Sequence, residues 1–222
     1  MTQLFEGKVY EILPLSNGIL FSYQKEIIDT DVVVAYKMLS FESGRITDIA
    51  KNIYLLSKFG SSYKAIAEHY ENYITTKSLV LAGGKVFLLY TNGDAVLLDN
   101  DATPIWSGNL SYRTCNPSDI ALFGNALWAA FPGCNVLIKY NLATMREELR
   151  IGGKVSPFLT PNDIFIDQSR AVISNATGKN LVSIDLNTFE LEELESFDQP
   201  VLQYMKTENH RFVVLESGLY LL

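Results

Sequence analysis

The segment Pro117-Ser118-Asp119-Ile120 is repeated as Pro161-Asn162-Asp163-Ile164, 44 residues further along the chain. When the two segments are aligned from these openings without a gap, apolar residues keep matching positions, as in the pairing of Leu137 with Leu181. A fixed period of about 40–50 residues built from short strands is typical of β-propeller blades. The sequence therefore predicts a propeller before any functional motif is considered.

The second copy contains four short segments that read as strands separated by polar or glycine-containing turns. Its third segment alternates apolar and polar residues, which suits a strand with one buried face. Its fourth is rich in glutamate, and charge on an outer strand protects an exposed sheet edge from pairing. The four predicted strands are residues 163–166, 171–174, 181–186 and 190–195.

Three further copies follow the same plan with different loop lengths. The Asn92-Gly93 pair in one of them is a strong signal for a two-residue hairpin turn. Residues 51–78 lie outside the four-strand plan: residues 53–56 favour a strand, residues 63–70 would permit a short helix, and the segment could be an inserted hairpin or a sixth blade. We therefore expect five blades, with six as the alternative. The copies are centred on residues 18–49, 79–108 and 119–151.

The two ends of the chain complement each other. Residues 201–222 supply only three strands, and residues 2–10 form a spare strand ahead of the first copy. A ring that closes by pairing both ends within one blade removes exposed edges. We therefore predict one β-propeller domain over residues 1–222, with the N-terminal strand completing the last blade.

The repeat at residues 161–188 resembles the repeats of YVTN and NHL-type β-propellers. Those repeats open with proline and a small or polar residue, and they end the third strand with aspartate before a threonine-containing turn. Residues 117–144 resemble them less closely, with Asn141 where Asp185 stands. Such families include scaffolds, ligand binders and enzymes, so the resemblance implies a blade construction and no particular activity.

The composition narrows the classes of function. Hydrophobic residues make up 48% of the chain and the formal net charge is −7. An acidic protein repels phosphate backbones, so we expect no nucleic-acid partner. No apolar run approaches the roughly 20 residues that span a bilayer, and the N-terminus does not read as a secretory signal. These features predict a cytoplasmic protein without a membrane partner.

Metal-ligating residues are sparse. The two cysteines, Cys115 and Cys134, are expected to be reduced thiols, with a disulfide as the alternative. No histidine has a second ligand at zinc spacing, so no cofactor is expected, although calcium needs only oxygen ligands. Asp119 and Asp163 begin equivalent strands and should lie near one mouth of the channel. Each could bind a ligand there, or each could cap its own turn through a hydrogen bond to the backbone.

The most promising ligand-binding stretch is the link from Trp106 to Cys115. Tyr112 and Arg113 would offer a flat ring beside a forked donor, which suits stacking on a sugar or clamping a carboxylate. The candidate ligand-binding residues are Trp106, Tyr112, Arg113, Asp119 and Asp163, and no catalytic residue is assigned. Trp128, by contrast, is expected to be wedged between blades.

We expect a non-enzymatic binding or scaffold propeller. Its ligand, a protein, a peptide or a carbohydrate, would sit at the channel mouth. The alternative is a calcium-dependent hydrolase or lactonase that uses acidic groups at the same mouth. The sequence leaves the ligand and the oligomeric state open.

Overall fold

The computed structural model describes residues 1–60, 63 and 75–222, with residues 75 and 76 described by their backbone alone. In this part of the chain, five four-stranded antiparallel sheets form a five-bladed β-propeller. The all-β class and the preferred blade number are therefore confirmed. Within each blade, strands that follow one another along the chain are also neighbours in the sheet, which is the simplest way to build a repeated blade.

The strands are numbered in chain order, and each blade runs from an innermost to an outermost strand. Blade 1 contains β2 to β5, at Val9–Leu15, Gly18–Ile28, Asp31–Ser40 and Ile46–Ile49. Blade 2 contains β6 to β9, at Thr75–Val80, Val86–Tyr90, Asp94–Leu98 and Pro104–Asn109. Blade 3 contains β10 to β13, at Asp119–Phe123, Ala126–Phe131, Val136–Asn141 and Glu147–Gly152. Blade 4 contains β14 to β17, at Pro161–Asp167, Arg170–Asn175, Asn180–Asp185 and Leu191–Ser196. Blade 5 contains β18 to β20, at Val201–Lys206, Arg211–Leu215 and Gly218–Leu221, and is completed by β1, at Thr2–Glu6.

The ring closes between the two chain ends. β1 pairs antiparallel with β20, placing Thr2 opposite Leu221 and Glu6 opposite Gly218. The predicted closure is therefore confirmed. The predicted strand over residues 2–10 was too long, because the chain leaves blade 5 at Gly7, where φ is +132°, and enters blade 1 at Val9.

An aspartate or asparagine side chain stabilises the equivalent turn in blades 3 and 4. Asp185 Oδ1 accepts hydrogen bonds from the backbone N–H groups of Asn187 and Thr188, at 2.8 and 3.0 Å. Asn141 holds the equivalent turn of blade 3 in the same way, with two contacts of 3.1 Å. An aspartate or asparagine that bonds to the backbone two or three residues on stabilises such a turn. The repeat pattern therefore reports turn chemistry at these positions.

One face of the propeller gathers the links between blades, and we call it the entry face. The links are residues 50–60, 110–118, 153–160 and 197–200, and the turns between the second and third strands of each blade lie beside them. Backbone hydrogen bonds join the two sets, as from Ala176 N–H to Thr160 O at 2.9 Å. Every innermost strand therefore begins at this face.

A disulfide ties two loops of the entry face together. Cys115, in the link between blades 2 and 3, is bonded to Cys134, in the turn between β11 and β12 of blade 3. The expectation of two reduced thiols was wrong on this point. The sequence separation of 19 positions conceals the proximity of the cysteines, because β10 and β11 run away from the entry face and back again.

The core lies between neighbouring blades. Trp128 of β11 is fully buried and packs with residues of blade 4, among them Ile164 and Ile173. The predicted wedge between blades is therefore confirmed. Large aromatic side chains suit such positions because they fill the space between two twisted sheets.

Residues 51–59 form a helix, α1, at Lys51–Phe59. The strand favoured for residues 53–56 was wrong, because tertiary packing decides the conformation of this apolar run. Tyr54, Leu55 and Phe59 are buried on one side of α1. The helix suggested for residues 63–70 lies outside the described residues, except for Tyr63. Among the described residues, no helix is long and apolar enough to cross a bilayer.

Candidate functional site

Five polar residues occupy the same position near the start of the five innermost strands. Each is the first residue of its strand to pair in regular register with the second strand of the same blade, as Asp163 does with Ser174. In four of the blades a register irregularity immediately precedes the residue. We call these residues the channel ring, and its members are Glu11, Lys77, Asp119, Asp163 and Gln203.

The ring residues bind the neighbouring blade. Asp119 Oδ2 accepts a hydrogen bond from the backbone N–H of Ile164, at 2.7 Å, and Asp163 Oδ2 accepts one from Tyr204 N–H, at 3.2 Å. Gln203 donates from its side-chain amide to the carbonyl of Tyr10. The expectation that each aspartate caps its own turn was wrong: these side chains link blade 3 to blade 4, blade 4 to blade 5 and blade 5 to blade 1.

Lys77 supplies the positive charge between the two aspartates. Its Nζ lies 2.9 Å from Oδ1 of Asp119 and 3.7 Å from Oδ1 of Asp163. Burial opposes the charged form of Lys77, but the carboxylates of Asp119 and Asp163 outweigh this effect and raise the pKa of the ammonium above its usual range. The lysine is therefore held as a cation.

Asp163 differs from an ordinary aspartate in its protonation. Burial, together with the negative charge of Asp119, raises the pKa of the Asp163 carboxyl to about 8. Like charges that share a buried site disfavour a second ionisation. The Asp163 carboxyl therefore holds a proton more tightly than an ordinary aspartate does.

Helix α1 covers the ring on the side of blades 1 and 2. Lys58 Nζ lies 2.7 Å from Oε2 of Glu11, and the Tyr54 hydroxyl donates to the same oxygen at 2.6 Å. Burial opposes ionisation of Glu11, but Lys58 and Lys77 outweigh it and lower the pKa of this carboxyl. Burial lowers the pKa of Lys58 despite the adjacent carboxylate. The ion pair thus fastens α1 to the channel.

The chemistry of this donor set suits blade linkage better than metal binding. Within the described residues, no three histidine, cysteine, aspartate or glutamate side chains come together to hold an ion. The ring instead places the ammoniums of Lys58 and Lys77 among its carboxylates. A cation at this position would compete with two cations already bonded there.

The residues predicted as a ligand site fall into two groups. The structure brings Asp119 and Asp163 together in the channel, where both are buried. Trp106 lies on β9, an outermost strand, and packs against Phe87 with ring centroids 6.0 Å apart. Trp106 is half-buried; its ring contact with Phe87 lies within blade 2, and both rings belong to the apolar cluster packed between blades 2 and 3.

Tyr112 and Arg113 lie on the entry face beside an arginine that the sequence did not single out. The guanidinium of Arg150 lies 4.2 Å from the centroid of the Tyr112 ring, and that of Arg113 lies 5.1 Å from it. Arg150 also donates to the Tyr112 hydroxyl at 2.7 Å. Cation–π contacts of this kind hold guanidinium groups in fixed positions. Arg150 therefore lies beside the predicted pair, and its guanidinium is also ion-paired with Glu147.

Sequence reasoning missed Glu11, Lys77 and Gln203 because the residue type changes around the ring. A signal exists: each of the three lies two positions after the first residue of its innermost strand. Only the aspartates of blades 3 and 4 keep the same type and the constant spacing of the repeat.

Comparisons with known proteins support the fold alone. No family model matches the sequence, and no curated protein matches it significantly. Among solved structures, the computationally designed Ika4 protein is 11% identical with a TM-score of 0.53, over 68% of this chain and 91% of Ika4. The computationally designed Ika8 protein is 9% identical with a TM-score of 0.52; the match covers 96% of this chain and spans 57% of Ika8. A protein of unknown function from Bacteroides caccae is 10% identical with a TM-score of 0.53, over 93% of this chain and 70% of that protein.

Proposed function

We propose that this propeller is a non-enzymatic binding or scaffold protein whose partner, a protein or peptide, docks on the entry face. The observation that carries this proposal is the pairing within the channel ring. The carboxylates of Glu11 and Asp119 are each bonded to a lysine, and Asp163 accepts a backbone hydrogen bond. Groups that are already engaged in linking blades serve stability, which leaves recognition to the exposed loops.

The contact site for this partner is the group formed by Tyr112, Arg113 and Arg150. Arg113 is exposed, and the guanidinium groups of Arg113 and Arg150 flank one half-buried ring. Arg150 is also ion-paired with Glu147, so Arg113 supplies the fork that faces the partner. Arginine forks match the geometry of carboxylates, and an aromatic ring adds contact area at low entropic cost. We therefore propose that the partner presents a carboxylate, from a side chain or a chain end, to this group. Asp119 and Asp163, in this proposal, position the blades beneath it.

A thermal-shift screen tests the function. The panel contains acidic peptides, neutral peptides, simple sugars and calcium. A ligand at 100 times its Kd stabilises the folded state by about 2.7 kcal/mol, which for a chain of this size corresponds to a rise in Tm of about 5–10 °C. We expect acidic peptides to give such a rise. Stabilisation by sugars or calcium alone would contradict the proposal, and calcium would favour the hydrolase alternative.

Paired variants locate the binding. Arg113→Ala should weaken an acidic peptide at least about 10-fold, since a charge-assisted hydrogen bond is worth about 1.5–3 kcal/mol. Arg146→Ala is the matched control, because Arg146 is also exposed but lies in the turn before β13, on the opposite face. Equal effects of the two variants would place the ligand elsewhere.

We also propose a relationship between this chain and a known type of propeller repeat. The shared openings at Pro117 and Pro161, and the turns at Asn141 and Asp185, support a relationship to YVTN and NHL-type repeats. The cytoplasmic location stays a prediction. The oxidised cysteine pair argues against it, because structural disulfides are more usual in oxidising compartments.

A further inference from the structure

One hairpin extends well beyond its blade. β2 pairs with β3 only as far as Tyr23, and β5 pairs with β4 only from Tyr36 onward. Among the described residues, those between these points pair with each other, from Gln24 opposite Val34 to Ile28 opposite Asp31, and Gln24 at the base also bonds to Lys8 and Tyr10. We call residues 24–35 the projecting hairpin. It belongs to the turn side of blade 1 and therefore stands on the entry face.

One surface of the projecting hairpin is apolar and open to solvent. Ile27 lies directly opposite Val32, so the two side chains share a face, and Val34 lies two residues further along the same strand. These three side chains are exposed by 58%, 47% and 39%. Three adjacent β-branched side chains suit cross-strand contacts with a further strand.

The edge formed by residues 31–35 has few of the features that usually protect an edge. Exposed edges are blunted by charge, proline or a bulge. The outermost strand β13 carries Glu147, Glu148 and Arg150, β17 carries three glutamates, and β9 begins with Pro104. By contrast, residues 32–35 read Val-Val-Val-Ala. A strand edge without charge or proline, such as this run, is the template that β-strand addition uses. The register irregularity of the hairpin lies on the other strand, between Gln24 and Glu26.

The charges around the apolar stripe are mostly acidic. Glu26, Asp29 and Asp31 lie at the end of the projecting hairpin, and Lys25 is the one basic residue there, 3.7 Å from Glu26. The whole chain also carries a net charge of −7. A partner that approaches this edge is therefore favoured when it is basic, and a second copy of this acidic chain is disfavoured.

We propose that the edge formed by residues 31–35 binds an extended segment of a partner protein as an additional β-strand. The segment alternates apolar residues, which contact Ile27, Val32 and Val34, with lysine or arginine, which faces the acidic end of the hairpin. Main-chain hydrogen bonds give the affinity, and the charges and the apolar stripe give the selectivity. This surface is separate from the group around Tyr112, so the two can engage different parts of one partner.

The test uses the whole 222-residue chain and synthetic peptides. The probe is a ten-residue peptide that alternates valine with lysine or threonine, and its counterpart carries glutamate in place of lysine. We expect the basic peptide to bind at least 10-fold more tightly at low salt, and to slow hydrogen exchange at residues 31–35. N-methylation of alternate backbone amides in the probe should abolish binding, because it removes main-chain donors. Equal binding of the two peptides, or unchanged binding after N-methylation, would overturn the proposal.

Variants of the edge complete the test. Val32→Lys combined with Val34→Lys places charge on the edge and should weaken the basic peptide at least 10-fold. Val155→Lys is the matched control, because Val155 is 94% exposed in the link between blades 3 and 4. Self-association that the double variant abolishes would overturn the proposal in favour of a second copy. If this test fails while Arg113→Ala still weakens the acidic peptides as predicted, the proposed function stands.

Discussion

The ammonium of Lys77 lies 2.9 Å from Oδ1 of Asp119, although the two residues belong to innermost strands of different blades. The same ammonium lies 3.7 Å from Oδ1 of Asp163, in the blade after that. One side chain therefore connects blades 2, 3 and 4 at the channel. Blades in a ring contact only their neighbours through their sheets, so a shared cation adds a connection that packing alone does not provide.

Replacing Lys77 with an uncharged residue should lower the stability of the fold. Lys77→Met keeps the length and apolar stem of the side chain but leaves two buried carboxyl groups without their ammonium. Removing one partner of a buried ion pair typically costs about 3–5 kcal/mol. We expect a loss of this size in the free energy of unfolding, measured by urea denaturation at pH 7.

The matched control is Lys206→Met. Lys206 Nζ lies 2.7 Å from Oδ2 of Asp167, but both side chains are about two-fifths exposed. Exposed ion pairs contribute about 0–1 kcal/mol, so this variant should lose no more than that. Similar losses for the two lysines would show that the channel position has no special role.

Asp163 makes stability depend on pH. Its folded-state pKa of about 8 lies above the value of about 4 for an unfolded aspartate. The folded protein therefore keeps a proton that the unfolded chain releases between about pH 4 and pH 8. The stability contributed by this proton is fully present below pH 4 and is lost as the pH rises through 8. Tm should therefore fall between pH 5.5 and pH 8.5.

Asp163→Asn should flatten this dependence. An amide keeps an acceptor for Tyr204 N–H and, like the protonated carboxyl, can donate towards Asp119. The change in unfolding free energy between pH 5.5 and pH 8.5 should shrink by about 1–3 kcal/mol, since each pKa unit corresponds to about 1.4 kcal/mol. Asp167→Asn, at the exposed pair with Lys206, should leave the slope unchanged. Parallel slopes for the wild type and Asp163→Asn would refute the assignment.

The disulfide should contribute measurably to stability. Closing a loop of about 20 residues in the unfolded chain is worth about 3 kcal/mol in the chain-entropy treatment. The double variant Cys115→Ala and Cys134→Ala should therefore lose about 2–4 kcal/mol, and a reductant should lower the Tm of the wild type alone. Calorimetry with and without reductant measures both effects. A wild type that is insensitive to reductant and melts with the double variant would contradict this prediction.

The sequence predicted the blades well because blade construction is local. The 44-residue repeat, the alternating strands and the turns at Asn141 and Asp185 each depend on residues close along the chain. The channel ring depends instead on residues from every blade. Its position could be read only where the residue type stayed constant, at Asp119 and Asp163.

Two other features were hidden because distant contacts decide them. The run from Ile53 to Leu56 is compatible with a strand or a helix, and the helix forms because Tyr54 and Lys58, four residues apart, then reach Glu11 together. The disulfide joins a link to a turn that only the antiparallel path of two strands brings near. Neither outcome follows from local pattern alone.

Ring closure can be tested at one glycine. Gly218 lies opposite Glu6 where β20 pairs with β1, and a Cβ at this position would overlap the carbonyl oxygen of Phe5. Gly218→Ala should therefore separate the strands, lower stability by about 3 kcal/mol and speed hydrogen exchange throughout β1. Gly124→Ala is the control, because φ is positive at both glycines, +59° at Gly124 and +153° at Gly218, but a methyl group at Gly124 meets open space. We expect backbone strain of about 1–2 kcal/mol in this variant, without faster exchange in β1. Unchanged exchange in β1 of Gly218→Ala would mean that this strand pair does not close the ring.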